Sequence, residues 1–409
     1  MKILVADYIL TCDDDFRIIK NGAICFDKKI IDIGETDKVI KNNPYAKIKY
    51  LSPNSVILPG LINTHVHLEF SANKTMLLYG DFVQWLQSII KKRDELKEKC
   101  NFDCYEKSID QMISSGVVAF GAVSSFGDDL EACVNSPQRV IYFNEILGSN
   151  PDFANQICSD FTNRLEKSYD ASNDTFIPAI SIHSAYSTHP LICDFALNIA
   201  KKNNLLTTTH FMESKAEREW LDSGSGDFLN FLKTFTKDPK PMFTPLEFLN
   251  KFKDLNTIFV HGTTCTQEEL EIISKIGSLS HCFVSNRILN NPLLNLKNVN
   301  DANINLSIGT DGLSSNISLN MWDELRSSLF AHCDNDLCAL SKQLILSATK
   351  NGAKALNLLD NTELSKGKNA DIISIVLPDI VEEINQLPLE LILHTKSIKS
   401  GYINGERYV

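Results

Sequence analysis

The chain has 409 residues, a length that suffices for one large domain with a smaller companion or for two to three ordinary domains. Hydrophobic residues make up 43% of it and charged residues 22%, a composition that excludes a disordered protein. Its 40 basic and 51 acidic residues give a net charge of -11 without any basic stripe, so we expect neither nucleic acid nor an anionic membrane as a partner. The sequence shows no apolar stretch near the roughly 20 residues of a membrane span and no signal-peptide pattern, and we therefore expect a cytoplasmic protein.

Both ends of the chain predict short strands separated by glycine or proline. The predicted strands cover residues 2–10, 21–26, 29–33 and 370–376, with two more inside 398–409. Pro388 is interpreted as a breaker of regular structure. We predict that residues 1–57 and 356–409 together form a small β-sandwich domain.

Between these ends, short apolar runs alternate with longer amphipathic stretches, which is typical of parallel strands covered by helices. The eight predicted strands cover residues 56–63, 117–124, 140–146, 176–183, 205–210, 257–261, 278–282 and 304–311. One clear helix has apolar residues at spacings of three and four over 82–90 and then a charged tail, 91–99, which we interpret as a solvated helix end. We predict that residues 58–355 form a (β/α)8 TIM-type barrel, in which the chemistry lies at the C-terminal ends of the strands.

The eleven cysteines, an odd number, are scattered from Cys12 to Cys338 with no CxxC pair. This pattern argues against a disulfide framework and against a cysteine-based zinc site. We interpret these residues as reduced thiols.

Histidines and one aspartate close several of the predicted barrel strands and should meet at one face. These residues are His65, His67, His183, His210, His261, His281 and Asp311. His65 and His67 point the same way because side chains alternate along a strand. Nitrogen and carboxylate donors without thiolate suit zinc or ferrous iron, with one position left for water. We predict one divalent metal ion per subunit, zinc in preference to iron, with ligands His65, His67, His210 and Asp311.

A hydrolytic metal site also needs a general acid/base. Glu213 lies three residues after His210, close enough to reach a water on the ion without being a ligand. His261, at the end of the sixth predicted strand, can hold the attacking oxygen or the developing tetrahedral centre. Charged neighbours leave a solvated carboxylate at a helix start as the alternative interpretation of Glu213.

Five motifs, in this order along the chain, resemble those of the amidohydrolase superfamily and, more closely, its chlorohydrolase and adenosine-type deaminase branch. They are Leu58-Pro-Gly-Leu-Ile-Asn-Thr-His-Val-His67, His210-Phe-Met-Glu213, Phe259-Val-His261-Gly262, His281-Cys-Phe-Val-Ser-Asn286 and Gly309-Thr-Asp311-Gly312. That branch has a mononuclear site, and the fourth predicted strand here offers no lysine for a bridging carbamate. The resemblance implies metal ligation by His65, His67, His210 and Asp311, proton transfer by Glu213 and Asp311, activation by His261, and substrate contact by His183.

Within the branch, residues 67–71 and 78–86 are similar to the corresponding loop of the aminodeoxyfutalosine deaminases. That family removes ammonia from the adenine ring of a nucleoside carrying a carboxyphenyl ketone, in the futalosine pathway of menaquinone biosynthesis. The resemblance implies a small-molecule nucleoside substrate and no organic cofactor, and a homodimer is left open. Glu69, Trp85 and Arg287 are candidates for contacting the ribose, the aromatic face and the carboxylate. Their alternative interpretations are a loop salt bridge, a helix-core aromatic and a surface cation.

Three other functions stay open at this point. Another enzyme of the branch, acting on methylthioadenosine, adenosylhomocysteine, guanine or a chlorinated ring, would carry the same motifs. A metal-dependent oxygenase shares histidine and carboxylate ligands, but its usual set of two histidines and one carboxylate does not explain the pair His65 and His67 together with Asp311. An inactive binding protein on the same fold would be expected to have lost ligands, and all of them are present.

Overall fold

The fold is taken from a computed structural model, which describes residues 1–72 and 75–409. The strands are β1 (Lys2–Leu10), β2 (Ile18–Phe26), β3 (Ile30–Glu35), β4 (Lys47–Tyr50), β5 (Ser55–Pro59), β6 (Leu61–Val66), β7 (Val117–Ser124), β8 (Arg139–Ile146), β9 (Phe176–Ser184), β10 (Thr207–Phe211), β11 (Thr257–His261), β12 (Gly277–His281), β13 (Asn305–Ile308), β14 (Ile372–Val376), β15 (Ser400–Ile403) and β16 (Glu406–Arg407). The helices are α1 (Thr36–Asn42), α2 (Phe82–Lys99), α3 (Phe102–Ser115), α4 (Leu130–Asn135), α5 (Ala154–Asp170), α6 (Pro190–Asn203), α7 (Lys215–Ser223), α8 (Asp227–Leu232), α9 (Pro245–Lys251), α10 (Gln267–Ile276), α11 (Phe283–Ile288), α12 (Leu296–Asp301), α13 (Met321–Ala331), α14 (Leu337–Ser347), α15 (Lys350–Ala355) and α16 (Leu387–His394). Within the two described ranges, none of these helices combines the length and the apolar character needed to cross a membrane.

Eight strands, β6 to β13, form one sheet in which they lie in chain order. The pairings from β8 through β13 are parallel, and helices separate most of these strands along the chain. Hydrogen bonds connect the first strand to the last, since Thr64 Oγ1 donates to the carbonyl of Ile308 at 2.9 Å and Asp311 N donates to the carbonyl of His65 at 3.0 Å. Every residue of β7 and β8 is buried, as expected for barrel strands covered on both faces. The prediction of a (β/α)8 TIM-type barrel is confirmed.

The remaining strands form a second sheet in the order β16-β15-β14-β5-β1-β2-β3, with β4 beside β1. Strand β14 from the C-terminal part pairs antiparallel with β5, and β5 pairs with β1. The rings of Phe26 and Tyr402 meet edge to face with their centroids 5.1 Å apart, inside a core that also contains Ile9 and Ile372. The predicted contribution of both termini to one β domain is therefore confirmed.

Contacts within the described residues divide the chain into two compact units. One unit comprises Met1–Asn63, Asp110–Ala119 and Asn320–Val409, and the other comprises Thr64–Ile109 and Phe120–Leu319. Both termini belong to the same unit. The domain boundaries placed between residues 57 and 58 and between 355 and 356 stay a prediction.

The helix that follows the first barrel strand agrees with its predicted position. Helix α2 begins after Asp81, whose carboxylate accepts a hydrogen bond from Gln84 N at 2.9 Å and so caps the first turn. Lys97 and Lys99 lie in the last turn, where positive charge stabilises the helix dipole. The whole predicted stretch 82–99 is therefore one helix.

The first predicted barrel strand, 56–63, was wrong because it joins two strands of different sheets. Strand β5 belongs to the sheet of the termini, β6 belongs to the barrel, and Gly60 separates them. The apolar residues from Val56 to Ile62 are interrupted by Pro59-Gly60, a turn signal that the predicted strand 56–63 passed over. As a result, β6 extends through His65, and His67 follows directly after the strand.

Two further boundary predictions were wrong. The strand predicted to reach Asp311 ends at Ile308, and Asp311 itself has a φ of 60°, which is outside the extended region. Pro388 does not interrupt regular structure, because it lies in the first turn of α16. A proline in the first turn loses no helical hydrogen bond, since the N–H groups there have no partner within the helix.

Replacing Gly60 by alanine is expected to lower the free energy of unfolding by about 1–3 kcal/mol, the usual cost of overpacking. A Cβ at this position would lie 2.2 Å from Val118 Cγ1. Gly34→Ala is the matched control, because its Cβ would lie 3.9 Å from Val39 Cγ2, an ordinary contact. Urea unfolding of both variants checks the prediction, and equal midpoints would contradict it.

Candidate active site

The four predicted metal ligands converge at the C-terminal end of the barrel strands. The nearest ring nitrogens of His65, His67 and His210 lie within 4.8 Å of one another. Asp311 Oδ1 lies 3.7 Å from the Nε2 atoms of both His65 and His67. All of these side chains are buried or nearly so, although only His65 and His67 come from the same part of the chain, at the end of β6. The structure therefore places three nitrogen donors and one carboxylate around a single point.

The protonation of His210 and His67 is suited to metal binding. His210 Nδ1 lies 2.9 Å from the carbonyl of His183, and because a carbonyl only accepts, the proton is on Nδ1. The lone pair of His210 Nε2 then faces His67 Nε2 at 3.3 Å. Burial, followed by the neighbouring His65, lowers the pKa of His67 to about 4 and that of His210 well below its ordinary value. Neutral imidazoles with converging lone pairs fit a divalent metal ion.

Asp311 is held as an ionised carboxylate. Burial opposes its charge, but the neighbouring imidazoles, His65 first, prevail and hold the pKa of Asp311 well below its ordinary value. Ser285 and Ser315 donate hydrogen bonds to Oδ2 at 2.7 and 3.0 Å, and Gly312 N donates to Oδ1 at 2.8 Å. These donors fix the carboxylate in place next to the histidines.

Glu213 lies beside the cluster and is only 5% exposed, so it is not a solvated residue at a helix start. Its Oε2 is 3.6 Å from His261 Nε2, and Asn291 Nδ2 donates to its Oε1 at 3.5 Å. Its main-chain N donates to Glu217 Oε2 at 2.7 Å, which fixes the backbone at this point. Burial, and then the charges of Asp311 and Glu217, raise the pKa of Glu213 well above its ordinary value. This raised pKa favours the protonated form of the Glu213 carboxyl group, the form that can give a proton.

His261 ends β11 with a φ of 75°, in the left-handed region that costs a non-glycine residue about 1–3 kcal/mol. Its Nδ1 lies 2.8 Å from Asn286 Oδ1, so the proton is on Nδ1 and the lone pair of Nε2 faces the cluster. Burial lowers the pKa of His261 to about 4, and the ring is neutral. Asn286 belongs to a motif noted in the sequence, but its orienting contact with His261 was not predicted.

A cavity of about 370 Å³ opens onto the cluster. Its polar lining includes the side chains His67, His183, His210, Glu213, His261 and Asp311. Its apolar lining includes Phe70, Phe82, Trp85, Leu86, Ile89, Ile90, Phe126, Tyr186, Phe231 and Phe235. Trp85 Nε1 donates to the carbonyl of Ser314 at 2.9 Å, which holds this ring near Asp311. The cavity therefore joins a polar end to a wall of aromatic and aliphatic side chains.

Two residues proposed to contact substrate, Glu69 and Arg287, do not line this cavity. Glu69 is 3% exposed, and its carboxylate accepts hydrogen bonds from the main-chain N of Ser125, Phe126 and Asp128. Arg287 Nη1 donates to a nearby main-chain carbonyl at 2.5 Å. Both side chains therefore stabilise neighbouring segments of the protein. Glu69 contacts backbone groups of another segment and Arg287 contacts the carbonyl of Asn291, four residues later, and the sequence pattern reveals neither contact.

Comparison with known proteins assigns the family. The sequence profile of the Amidohydrolase family matches residues 56–408, most of the chain. The chain belongs to the amidohydrolase family. The resemblance inferred from the five motifs is thus confirmed, and the His/Asp cluster agrees with the metal dependence of the family.

Relatives within the family match the whole chain. The aminodeoxyfutalosine deaminase of Nitratiruptor sp. is 44% identical over 410 residues, which cover 100% of both chains. An adenosine deaminase of Helicobacter pylori is 32% identical over 414 residues, again with 100% of both chains covered. A crystal structure of Helicobacter pylori aminofutalosine deaminase in complex with methylthio-coformycin has a TM-score of 0.95 to this chain at 32% identity and covers 100% of both.

In this amidohydrolase, two charged residues at the cavity were not predicted. Glu145 lies at the end of β8, has an oxygen within 4.8 Å of nitrogens of His183 and His210, and accepts a hydrogen bond from Ser125 Oγ at 2.5 Å. Its position at the end of the third predicted strand was an available signal. Arg93 lies in the segment interpreted as a solvated helix end, yet it lines the cavity. The sequence did indicate this position, because Arg93 follows Ile90 and Ile89 at spacings of three and four and so continues the apolar face of α2.

Replacing Glu69 by glutamine is expected to lower the free energy of unfolding by about 1–3 kcal/mol, because the new amide group would face main-chain N–H donors that need an acceptor. Glu166→Gln, at an exposed position inside α5, is the control and should change stability by less than about 0.5 kcal/mol. Thermal unfolding of both variants is the measurement. Similar melting temperatures would show that Glu69 does not stabilise the loop of Ser125 and Phe126.

Proposed function

We propose that this chain is a metal-dependent aminohydrolase that deaminates the adenine ring of a nucleoside. The observation that carries the proposal is the position of Glu213 and His261 beside the four-donor cluster, at the end of a cavity with aromatic walls. We further propose 6-amino-6-deoxyfutalosine as the substrate, with futalosine and ammonia as products, in the futalosine pathway of menaquinone biosynthesis. The full-length identity of 44% to an aminodeoxyfutalosine deaminase supports this choice.

His65, His67, His210 and Asp311 would hold the metal ion. A bound divalent metal supplies Lewis-acid activation, which lowers the pKa of water towards about 7 and makes hydroxide available at neutral pH. The remaining chemistry belongs to side chains of this protein. Their task is to orient the ring, to move protons and to exclude bulk water.

Hydrolytic deamination needs one group that protonates the ring and another that accepts a proton from the attacking water. Glu213 would give its proton to N1 of the purine as C6 is attacked, because its raised pKa favours the protonated form. Asp311 is ionised and would accept the proton of the water. The neutral Nε2 of His261 would hold the attacking oxygen, and His183 would contact the substrate from the cavity wall. Ammonia leaves after a second proton transfer.

The experiment that tests the substrate is a comparison of kcat/KM across five compounds. The metal-loaded enzyme is incubated with aminodeoxyfutalosine, methylthioadenosine, adenosylhomocysteine, adenosine and guanine, and ammonia release is measured. We expect aminodeoxyfutalosine to have the highest kcat/KM. A preference for another nucleoside would overturn the pathway but keep the deaminase, and no release from any of the five would overturn the deaminase.

Three properties of the proposed enzyme rest on the sequence alone. We propose zinc as the native metal, with ferrous iron as the alternative, because the same nitrogen and carboxylate donors suit both. Elemental analysis of the purified protein distinguishes the two. A cytoplasmic location, in keeping with the eleven free cysteines, and a homodimer stay predictions, and light scattering during gel filtration measures the oligomeric state.

A further inference from the structure

One positively charged side chain lies on the apolar face of the helix that lines the cavity. The residues of α2 that line it are Phe82, Trp85, Leu86, Ile89, Ile90 and Arg93. Their spacing of three and four puts them on one side of the helix. Arg93 thus continues the cavity wall at the C-terminal end of this face. Among the described lining residues it is the sole lysine or arginine.

Arg93 has no carboxylate partner among the described residues, whereas its neighbour one turn later does. The guanidinium carbon of Arg93 lies 4.8 Å from the ring centroid of Phe126. Lys97 Nζ lies 4.7 Å from the same ring, but it also forms a 3.0 Å ion pair with Asp128 and does not line the cavity. The charge of Lys97 is therefore compensated within the protein. The charge of Arg93 remains available to a ligand.

The cavity separates this cation from the metal cluster by a distance that suits an elongated ligand. Trp85 marks the cluster end, because its indole donates to Ser314, three residues after Asp311. Arg93 is eight residues further along α2, or about 12 Å at 1.5 Å per residue. Phe126 and Phe70 also line the cavity and meet edge to face with centroids 6.1 Å apart. An aromatic group attached to a nucleoside would find ring partners beside Arg93.

We propose that Arg93 binds the carboxylate on the aromatic tail of the substrate, with Phe126 holding the guanidinium in position. This inference rests on the proposed function and names the residue that recognises the acidic tail. A guanidinium matches a carboxylate with two parallel hydrogen bonds, and its stacking on an aromatic ring limits its freedom before binding. Arg93 takes the role first considered for Arg287, which donates instead to the carbonyl of Asn291.

The test compares two substrates that differ in one charge, aminodeoxyfutalosine and its methyl ester. Arg93→Gln is expected to lower kcat/KM for the acid by roughly 10- to 100-fold, mainly because KM rises. The same variant should change kcat/KM for the methyl ester by less than about threefold. Arg93→Lys should retain part of the preference for the acid, because it keeps the charge but loses the planar fork. Lys97→Gln is the matched control and should behave like the wild type with both compounds. Arg93 is exposed, so these variants should fold normally, and their melting temperatures verify this.

The outcomes separate this proposal from the one on which it rests. A loss confined to the acid supports the assignment of Arg93. Equal losses for acid and ester, or a preference for the acid that survives Arg93→Gln, would overturn the assignment and leave the proposed function intact. A wild-type enzyme that deaminates neither compound but acts on another nucleoside would overturn the proposed substrate, and the assignment of Arg93 would fall with it.

Discussion

Replacing Glu213 by glutamine is expected to lower kcat by on the order of 10²–10⁴-fold, the usual contribution of a general acid/base. Glutamine has nearly the same shape but cannot give up a proton to the purine ring. The contacts that fix the backbone, from Glu213 N to Glu217 and from Thr263 Oγ1 to the carbonyl of Glu213, do not involve the carboxyl group and should persist. Metal content and melting temperature should therefore stay close to those of the wild type. Steady-state kinetics measures kcat, elemental analysis of the same preparation measures metal content, and thermal unfolding gives the melting temperature.

Glu219→Gln is the matched control for this variant. Glu219 lies six residues later, on the exposed side of α7, and its replacement makes the same carboxyl-to-amide change without touching the cavity. It should leave kcat within about twofold of the wild type, because surface substitutions of this kind change little. A Glu213→Gln enzyme with near-normal kcat would remove Glu213 from the mechanism. Loss of metal in that variant would instead assign Glu213 a role in the metal site.

The barrel could be predicted because buried parallel strands appear in the sequence as short, continuous apolar runs. Strand β7 matches its predicted range 117–124 at both ends, and β11 matches 257–261. The same rule fails at β5 and β6, because the apolar residues on the two sides of Pro59-Gly60 were read as one strand although they belong to different sheets. Pro59-Gly60 marks the division in the sequence, whereas the close approach of Gly60 to Val118 exists only in three dimensions.

The predicted ligands come together in the structure for a similar reason. Strand alternation relates His65 to His67, and the common direction of parallel strands brings His210 and Asp311 to the same end. The parts that could not be predicted depend on loops. The acceptor role of Glu69 towards the main chain of 125–128 needs the folded path of that loop. Arg93 differs, because its spacing from the apolar residues of α2 was a signal that the charged composition of 91–99 obscured.

Replacing His65 by alanine is expected to abolish stoichiometric metal binding and, with it, activity. His65 is 1% exposed, and its ring lies among those of His67, His210 and His261, with centroids 4.8, 5.0 and 6.0 Å away. Alanine removes one of the three nitrogen donors and leaves no group that could replace it at this position. Elemental analysis after dialysis, together with activity before and after metal addition, measures the loss. A variant that retained one equivalent of metal would contradict the assignment of His65 as a ligand.

Ser285→Ala provides a graded comparison, because it leaves all four donors in place and alters only the support of Asp311. Ser285 donates to Asp311 Oδ2 at 2.7 Å, and Ser315 donates to the same oxygen. Loss of such a supporting hydrogen bond usually costs about 10- to 100-fold in metal affinity or activity. The remaining bond from Ser315 should keep the effect near the lower limit. His394→Ala should bind metal like the wild type, because the His394 side chain is 48% exposed, pairs with Glu390 and is not one of the clustered histidines. We therefore expect the loss of metal to increase in the order His394→Ala, Ser285→Ala, His65→Ala, which would distinguish a ligand from a residue that supports one. If Ser285→Ala lost as much metal as His65→Ala, this division of roles would be wrong.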